Sequence, residues 1–170
     1  MTLNAEKKHE KRVKELSRMI KIIIGCDPDV DGKGFSIYHD SNLVELRQFS
    51  LLNLYFYIDY LQSNVRLNNN IELHIEDLCA NKSSAFSHRR VDPPVVKYKK
   101  SESVGRCKQI QLEVEKIAQH FDIKIVRHKV SSKWKDAAGR KEFEQFTGWK
   151  RQSNPDTRSA AYFGYLGTLK

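Results

Sequence analysis

Apolar and polar residues follow one another along this chain in patterns that predict a mixed sheet flanked by helices. The run IIIGCD at 22–27 is apolar up to its last residue, which is typical of a central strand buried on both faces. GFSIYHD and NLVELRQFSL predict two antiparallel strands joined through the turn at 40–42. IELHIE at 71–76 alternates strictly, with its isoleucines and leucine on one face and Glu, His and Glu on the other. IKIVRHKV predicts a fifth strand.

Four segments predict helices. Apolar residues recur at helical spacing in LLNLYFYIDYLQSN at 51–64 and again over 107–121. The stretch 131–150 contains a helix between two loops, and NPDTRSAAYFGYLG opens with Asn154 as N-cap and Pro155 at the first helical position. Three antiparallel strands followed by helix-strand alternation predict an α/β fold with a mixed five-stranded sheet.

The length of 170 residues predicts one domain at 20–170, preceded by a basic arm or helix at 1–19. Residues 81–103 are polar, basic and contain Pro-Pro, so they predict a long loop. No apolar run approaches the ~20 residues of a membrane span, and the N-terminus lacks the apolar core of a secretory signal. The three cysteines form no metal-binding spacing, which indicates reduced thiols and a cytoplasmic location.

The formal charge of +9 is distributed unevenly. Residues 22–81 carry nine acidic and three basic residues, whereas the segments before and after them are basic. A basic shell around an acidic segment suits a polyanion that is held near bound cations. Solvated surface lysines would give the same totals, so charge alone leaves nucleic acid as one of two interpretations.

The acidic turn after the first strand has an obvious alternative interpretation. Asp27, Asp29, Asp31 and Gly32 match positions one, three, five and six of an EF-hand calcium loop. Position twelve of such a loop needs a bidentate glutamate, and here it is Tyr38. A helix should precede the loop, whereas a strand-like run precedes this one. These two departures argue against calcium.

Three acids from distant parts of the chain are predicted to meet instead. Asp27 ends the first strand, Glu76 ends IELHIE, and Asp156 lies in the first turn of the last helix. If the two strands are parallel neighbours and the helix crosses their ends, the carboxylates converge. Clustered carboxylates repel one another unless cations bind. Two divalent ions about 3.5–4 Å apart can activate water and stabilise the leaving oxygen of a phosphodiester, and oxygen ligands favour Mg²⁺ or Mn²⁺.

Each acid also has a purely structural interpretation. Asp27 could form a turn, Glu76 could be a solvated strand end, and Asp156 could complement the helix dipole. Their fit to one ordered pattern is what favours the shared site.

The same segments are similar to a known family. IIIGCDPDVDGKGFSIY resembles the first strand and turn of the RuvC family of Holliday-junction resolvases, in the ribonuclease H-like superfamily. IELHIEDLCANKSSAF resembles the strand with the second acid, SVGRCKQIQLEVEKIAQHFDIKIVRHKVSSKWK the next helix, strand and basic loop, and NPDTRSAAYFGY the last acidic helix. The ordered set covers 20–168, and the arm and the long basic loop look like additions in divergent phage or mobile-element relatives.

This resemblance implies a homodimeric endonuclease that uses two Mg²⁺ or Mn²⁺ ions to nick a four-way DNA junction in pairs. Asp27 would bridge both ions, Glu76 would hold one and Asp156 the other. The family places a further acid three residues after the last one, where this chain has Ser159. Asp29 is a hypothetical replacement, since it lies two residues from Asp27.

Basic residues are predicted to contact phosphates, which gives affinity that depends on salt and little on sequence. Candidates near the site and in the long loop are Lys82, Arg89, Arg90, Lys99, Lys100, Arg106, Lys133, Lys135, Arg140, Lys141 and Arg158. His74 and His128 are interpreted as strand residues, since two-metal chemistry needs neither; the alternative is that a histidine near the site helps to activate water. LLNLYFYIDYL fits either core packing or part of a dimer interface.

Three other functions keep the same fold. A non-catalytic junction-binding relative is compatible with Ser159 in place of an acid. A nuclease acting on structured RNA would keep the same carboxylates. An ATP-binding member of the superfamily would need a second subdomain, for which 170 residues leave no room.

Overall fold

The computed structural model describes residues 21–30, 33–64, 70–81 and 91–169. Several predictions lie outside these residues: the arm at 1–19, the turn residues Asp31 and Gly32, and the basic residues Lys82, Arg89 and Arg90.

Five strands form one mixed sheet in the order β3-β2-β1-β4-β5. β1 pairs antiparallel with β2 and parallel with β4, β2 pairs antiparallel with β3, and β4 pairs parallel with β5. The predicted mixed sheet is therefore confirmed, with the continuously apolar strand at its centre. The strands are β1 (Ile22–Asp27), β2 (Gly34–His39), β3 (Asn42–Gln48), β4 (Ile71–Glu76) and β5 (Lys124–His128).

In the described part of the chain, four helices accompany the sheet: α1 (Leu51–Asn64), α2 (Pro94–His120), α3 (Ala137–Thr147) and α4 (Pro155–Thr168). The prediction of a loop throughout 81–103 is wrong over its last part, because α2 already begins at Pro94. Proline is compatible with the first turn of a helix, where its missing N–H has no intrahelical partner to lose. The Pro-Pro pair therefore marks a helix start rather than the middle of a loop.

The alternation of side chains assigns the strand residues to two layers. Ile22, Ile24 and Cys26 of β1 pack with buried residues of α1 and α2. Between them, Gly25 lies against the backbone of α4. Since successive side chains of a strand point to opposite faces, Asp27 belongs to the face covered by α4.

Helix α4 lies unusually close to the sheet. A Cβ at Gly25 would collide with the Ala160 carbonyl oxygen, and the Ser36 hydroxyl donates to that same oxygen at 2.9 Å. Tyr38 donates in turn to the carbonyl of Ala161 at 2.8 Å. Small residues and these hydrogen bonds fix α4 across β1, β2 and β4. Within the described residues, no helix is both long and apolar enough to cross a bilayer.

Candidate active site

Two buried carboxyl groups lie side by side at the carboxyl edge of the sheet. Asp27 is the last residue of β1 and Glu76 the last of β4, and the two strands are parallel neighbours. Asp27 is 2 % exposed and Glu76 3 %. Glu72, His74 and Glu76 alternate with core residues of β4, so Glu76 shares the α4 face with Asp27. The predicted pairing of these two acids is present in the structure.

The third predicted acid is brought to this edge by the start of α4. The Asn154 side chain accepts a hydrogen bond from Thr157 N–H at 2.8 Å, and the Thr157 hydroxyl lies 3.0 Å from Asn154 N. This capping box fixes the first turn, which contains Asp156. Gly34 pairs with Asp27 across the strands, and a Cβ there would collide with the Asp156 carbonyl. The missing side chain of Gly34 thus lets Asp156 approach Asp27.

The carboxyl groups interact electrostatically. Burial, reinforced by the charge of Asp27, raises the pKa of Glu76 to about 7 despite a 3.0 Å hydrogen bond from Ser131 N–H. Burial, with the charges of Asp27 and Asp29, also raises the pKa of Asp156. Burial and neighbouring carboxylates both disfavour the charged form of a carboxyl group, and such raised pKa values are common at functional sites.

Lys135 is the cation that lies at this cluster. Its Nζ is 2.8 Å from Asp27 Oδ2. Burial lowers the pKa of Lys135, but the charges of Asp27, Glu76 and Asp156 outweigh that effect and leave the pKa above its usual value. The ammonium group therefore contacts one carboxylate and lies within electrostatic range of the other two. From the sequence, Lys135 was predicted to contact a phosphate of the substrate.

The loop that carries Lys135 is held by a buried tryptophan. Trp134 is 1 % exposed and packs among Phe143 and Tyr162. Its backbone has a φ of 65°, which is uncommon for a residue other than glycine. A Cβ at Gly139 would collide with the Trp134 backbone. Trp134 thus fixes the turn that directs Lys135 toward the acids.

Arg158 holds the same loop from α4. Its Nε donates to the Trp134 carbonyl and its Nη2 to the Lys135 carbonyl, both at 2.8 Å, and Nη1 reaches the Ser153 carbonyl at 3.4 Å. The residue is 6 % exposed. Its position differs from the phosphate contact expected from sequence, because the guanidinium is buried and already bonded to three backbone carbonyls.

Asp29 and Ser159, the two possible additional residues, differ in environment. Asp29 lines the site cleft, and its Oδ1 accepts from Val30 N–H at 2.5 Å and lies 3.9 Å from Cys107 Sγ. Ser159 is buried one helical turn after Asp156, and its hydroxyl has no hydrogen-bond partner among the described residues. Both therefore offer an oxygen close to the predicted cluster.

The cleft beside the acids has a volume of about 290 Å³ and is open to solvent. Asp27, Asp29, Glu76 and Lys135 contribute polar groups, and Leu78, Val104 and Val130 contribute apolar walls. A substrate can thus approach the carboxylates from outside the sheet.

A metal ion remains a prediction for this cleft. As the side chains lie here, no group of three or more His, Cys, Asp or Glu residues in the described part of the chain is arranged to hold one. The donor chemistry nevertheless fits a hard divalent cation, since Asp27, Glu76 and Asp156 supply only carboxylate oxygens. Their raised pKa values indicate a place where added positive charge would be stabilising.

The remaining basic candidates are exposed or half-buried. Lys100 is half-buried and paired with Asp92 at 2.6 Å, and Lys133 Nζ lies 3.6 Å from Glu142. Arg140 pairs with Glu144 at 2.8 Å. Three others are exposed on helices: Lys99 and Arg106 on α2, and Lys141 on α3.

A second polar cluster lies on the same face of the sheet and extends from Glu72, near the start of β4, to His128, which is in register with Glu76. Sequence reasoning missed this cluster. His74 Nδ1 is 2.8 Å from His128 Nε2, and His74 Nε2 is 3.1 Å from Glu72. Glu72 also pairs with Lys21 at 2.9 Å and Lys124 at 2.7 Å. The strict alternation in β4 was the available signal, because it placed Glu72, His74 and Glu76 on one face.

Comparisons with known proteins leave the family unassigned. No protein-family model and no curated protein matches the chain. Among solved structures, T. thermophilus RuvC in complex with a Holliday junction substrate is similar, with a TM-score of 0.49 and 11% identity. The match covers 87% of this chain and 93% of the RuvC chain. A likeness this distant carries no argument about function.

Proposed function

We propose that this protein is a metal-dependent endonuclease that hydrolyses phosphodiester bonds in branched DNA. The observation that carries the proposal is the pairing of Asp27 and Glu76 beside a solvent-accessible cleft, where the pKa of Glu76 is raised to about 7 and Asp156 lies within electrostatic range of Asp27. The basic surface of a chain with formal charge +9 supports a polyanionic substrate.

The three carboxylates would hold two Mg²⁺ or Mn²⁺ ions, with Asp27 between them because it interacts with both other acids. Bound ions of this kind activate water for in-line attack and offset the charge on the leaving 3′ oxygen. Glu76 would lose its proton as positive charge enters the cluster, since a pKa near 7 leaves it part protonated at neutral pH. Asp29 and Ser159 would supply further oxygens beside the ions.

Substrate binding would use the surface on α2 and α3 around the cleft. α2 lines the cleft with Ser103, Val104 and Cys107, and Lys99 and Arg106 are exposed on the same helix. Such cations neutralise phosphates without reading sequence. Together they would hold the arms of a junction on either side of the site.

Paired nicking of a four-way junction would require two copies of the chain. On α1, Leu54, Ile58 and Leu61 are buried, which satisfies the core-packing interpretation of this helix. Leu52 is 63 % exposed, and Phe56 and Tyr60 are each 59 % exposed at four-residue intervals. This outward apolar stripe is compatible with part of a homodimer surface, which we include in the proposal.

The decisive experiment compares a synthetic four-way junction with a linear duplex of the same sequence, each incubated with the wild type or Asp27→Asn in Mg²⁺. We expect paired nicks in the junction, none in the duplex, and loss of cleavage by at least about 100-fold in the variant. Equal cutting of both DNAs would remove junction selectivity and leave a nuclease. Cleavage of a folded RNA in place of DNA would reassign the substrate.

Non-catalytic junction binding is the second candidate, favoured by Lys135 at Asp27 and by Ser159 in place of an acid. Junction binding that is unchanged by Mg²⁺, without cleavage by any form of the protein, would establish it.

A further inference from the structure

The placement of Lys135 at the acids is built into the fold. Its neighbour Trp134 is buried in an aromatic cluster, and Arg158 binds the carbonyls of both residues at 2.8 Å. On the other side, Asp136 caps α3 by accepting from Gly139 N–H at 2.6 Å. The backbone of Lys135 is therefore held before and after the residue, and its side chain reaches Asp27 from a fixed origin.

The side chain itself is free enough to leave. It is 33% exposed, whereas the Asp27 side chain is 4% exposed. A lysine side chain has four flexible methylene groups, so its ammonium can move several ångströms while the backbone stays in place. The backbone of Lys135 is thus fixed, while its ammonium group can move.

We propose that Lys135 is the resident cation of the carboxylate cluster, that Arg158 positions it there, and that a divalent ion enters by displacing the Lys135 ammonium. This inference rests on the proposed function only in assuming that divalent ions bind at these carboxylates.

Competition follows from geometry and charge. The ammonium lies 2.8 Å from Asp27 Oδ2, and Mg²⁺ ligands lie at about 2.0–2.1 Å from the ion. One carboxylate oxygen cannot give the same lone pair to both cations, and the two cations repel each other. Once displaced, the ammonium is next to the cleft and can meet a substrate phosphate.

The first test measures Mn²⁺ affinity of the full chain by titration calorimetry, without nucleic acid. Lys135→Met removes the charge but keeps a flexible apolar stem. If the competent state, with Lys135 withdrawn, is populated to about 10 %, the variant should bind Mn²⁺ about tenfold more tightly. Lys133→Met is the matched control, because Lys133 lies in the same loop and pairs with Glu142, so its Mn²⁺ affinity should equal the wild type. Equal or weaker binding by Lys135→Met would overturn the proposal.

The second test addresses the positioning role of Arg158. Arg158→Gln should tighten Mn²⁺ binding part of the way toward Lys135→Met, and the double variant should bind no more tightly than Lys135→Met alone. Arg158→Lys, which keeps the positive charge on a single ammonium group but loses the planar fork of the guanidinium, should restore the wild-type affinity in part. Near-ultraviolet circular dichroism checks that each variant is folded. A folded Arg158→Gln protein with wild-type Mn²⁺ affinity would show that Arg158 only packs.

These outcomes separate the inference from the nuclease proposal. If Lys135→Met binds Mn²⁺ more tightly but the protein cuts no nucleic acid, the proposal for Lys135 holds and the nuclease proposal is wrong. Absence of Mn²⁺ binding in both proteins would overturn the displacement, and metal-dependent cleavage with it.

Discussion

Two glutamates on the same face of β4, four residues apart, have opposite electrostatic environments. Glu72 receives hydrogen bonds from Lys124, Lys21 and His74, which outweigh its burial and lower its pKa to about 2. Burial and the charge of Asp27 raise the pKa of Glu76 to about 7, although Ser131 N–H and Lys135 act in the other direction. Neighbouring cations thus compensate the charge of Glu72 at one end of β4, whereas the charge of Glu76 at the other end is only partly compensated.

The comparison contrasts a charge-compensated ion-pair cluster with a carboxylate cluster that has a single neighbouring ammonium group. At the Glu72 end, protein groups complete the charge balance, and nothing further is required there. At the Glu76 end, Asp27, Asp156 and Glu76 share Lys135, so the balance is incomplete. Incomplete compensation costs stability, and proteins tolerate that cost mainly where function uses it.

The largest expected difference between the two ends is in cleavage. Glu76→Gln keeps the shape of the side chain but removes its charge, so we expect cleavage of a four-way junction to fall by about 100-fold or more. Glu72→Gln should stay within about threefold of the wild type, because Glu72 lies outside the cleft. Single-turnover rates in Mg²⁺ measure both. Similar losses in the two variants would contradict the assignment of the site to one end.

The next effect is a pH-dependent change in stability of the metal-free protein. The pKa of Glu76 is raised from 4.5 to about 7. Its contribution to stability is therefore fully present below pH 4.5 and is lost as the pH rises through 7, by up to about 3 kcal/mol. Glu76→Gln should remove this loss and unfold at higher urea than the wild type at pH 8 in EDTA.

Two measurements sharpen that prediction. At pH 4 the wild type and Glu76→Gln should have similar free energies of unfolding, since both side chains are then uncharged. Adding Mn²⁺ at pH 8 should stabilise the wild type, because a ligand that binds the folded state stabilises it. A difference in the free energy of unfolding between the wild type and Glu76→Gln that does not change from pH 4 to pH 8 would show that the Glu76 pKa is not raised.

Two glycines provide a third contrast: Gly34 of β2, which packs against the first turn of α4, and Gly167 in the last turn of α4. A Cβ would collide with the Asp156 carbonyl at Gly34 and with the His74 ring at Gly167. Alanine at either position should destabilise the fold by about 1–3 kcal/mol through overpacking. Gly34→Ala should also reduce cleavage by displacing Asp156, whereas folded Gly167→Ala should retain it. Gly105→Ala is the control, because a Cβ there meets nothing within 4 Å.

Strand alternation and the cap signal are why the convergence of the acids could be predicted from sequence. The pattern of IELHIE assigned Glu76 to one face, and Asn154-Pro155 located the first turn of α4. Lys135 could not be placed in the same way, because its position depends on the φ of 65° at Trp134 and on carbonyls bound by Arg158. Those contacts join segments more than 20 residues apart, and no local pattern encodes them.

The smallest expected effect concerns the ion pairs at the other end of the strand. The pKa of Glu72 is lowered from 4.5 to about 2, so its contribution is present above pH 4.5 and is lost as the pH falls through 2. Glu72→Gln should therefore destabilise the protein at pH 7, in the opposite direction to Glu76→Gln. The cost should be only about 1 kcal/mol, because the Lys124 side chain is 66% exposed and water screens the pair. Adding 1 M NaCl should reduce the difference in the free energy of unfolding between Glu72→Gln and the wild type. If Glu72→Gln were more stable than the wild type at pH 7, substitutions at the two ends of β4 would change stability in the same direction, which would contradict the comparison.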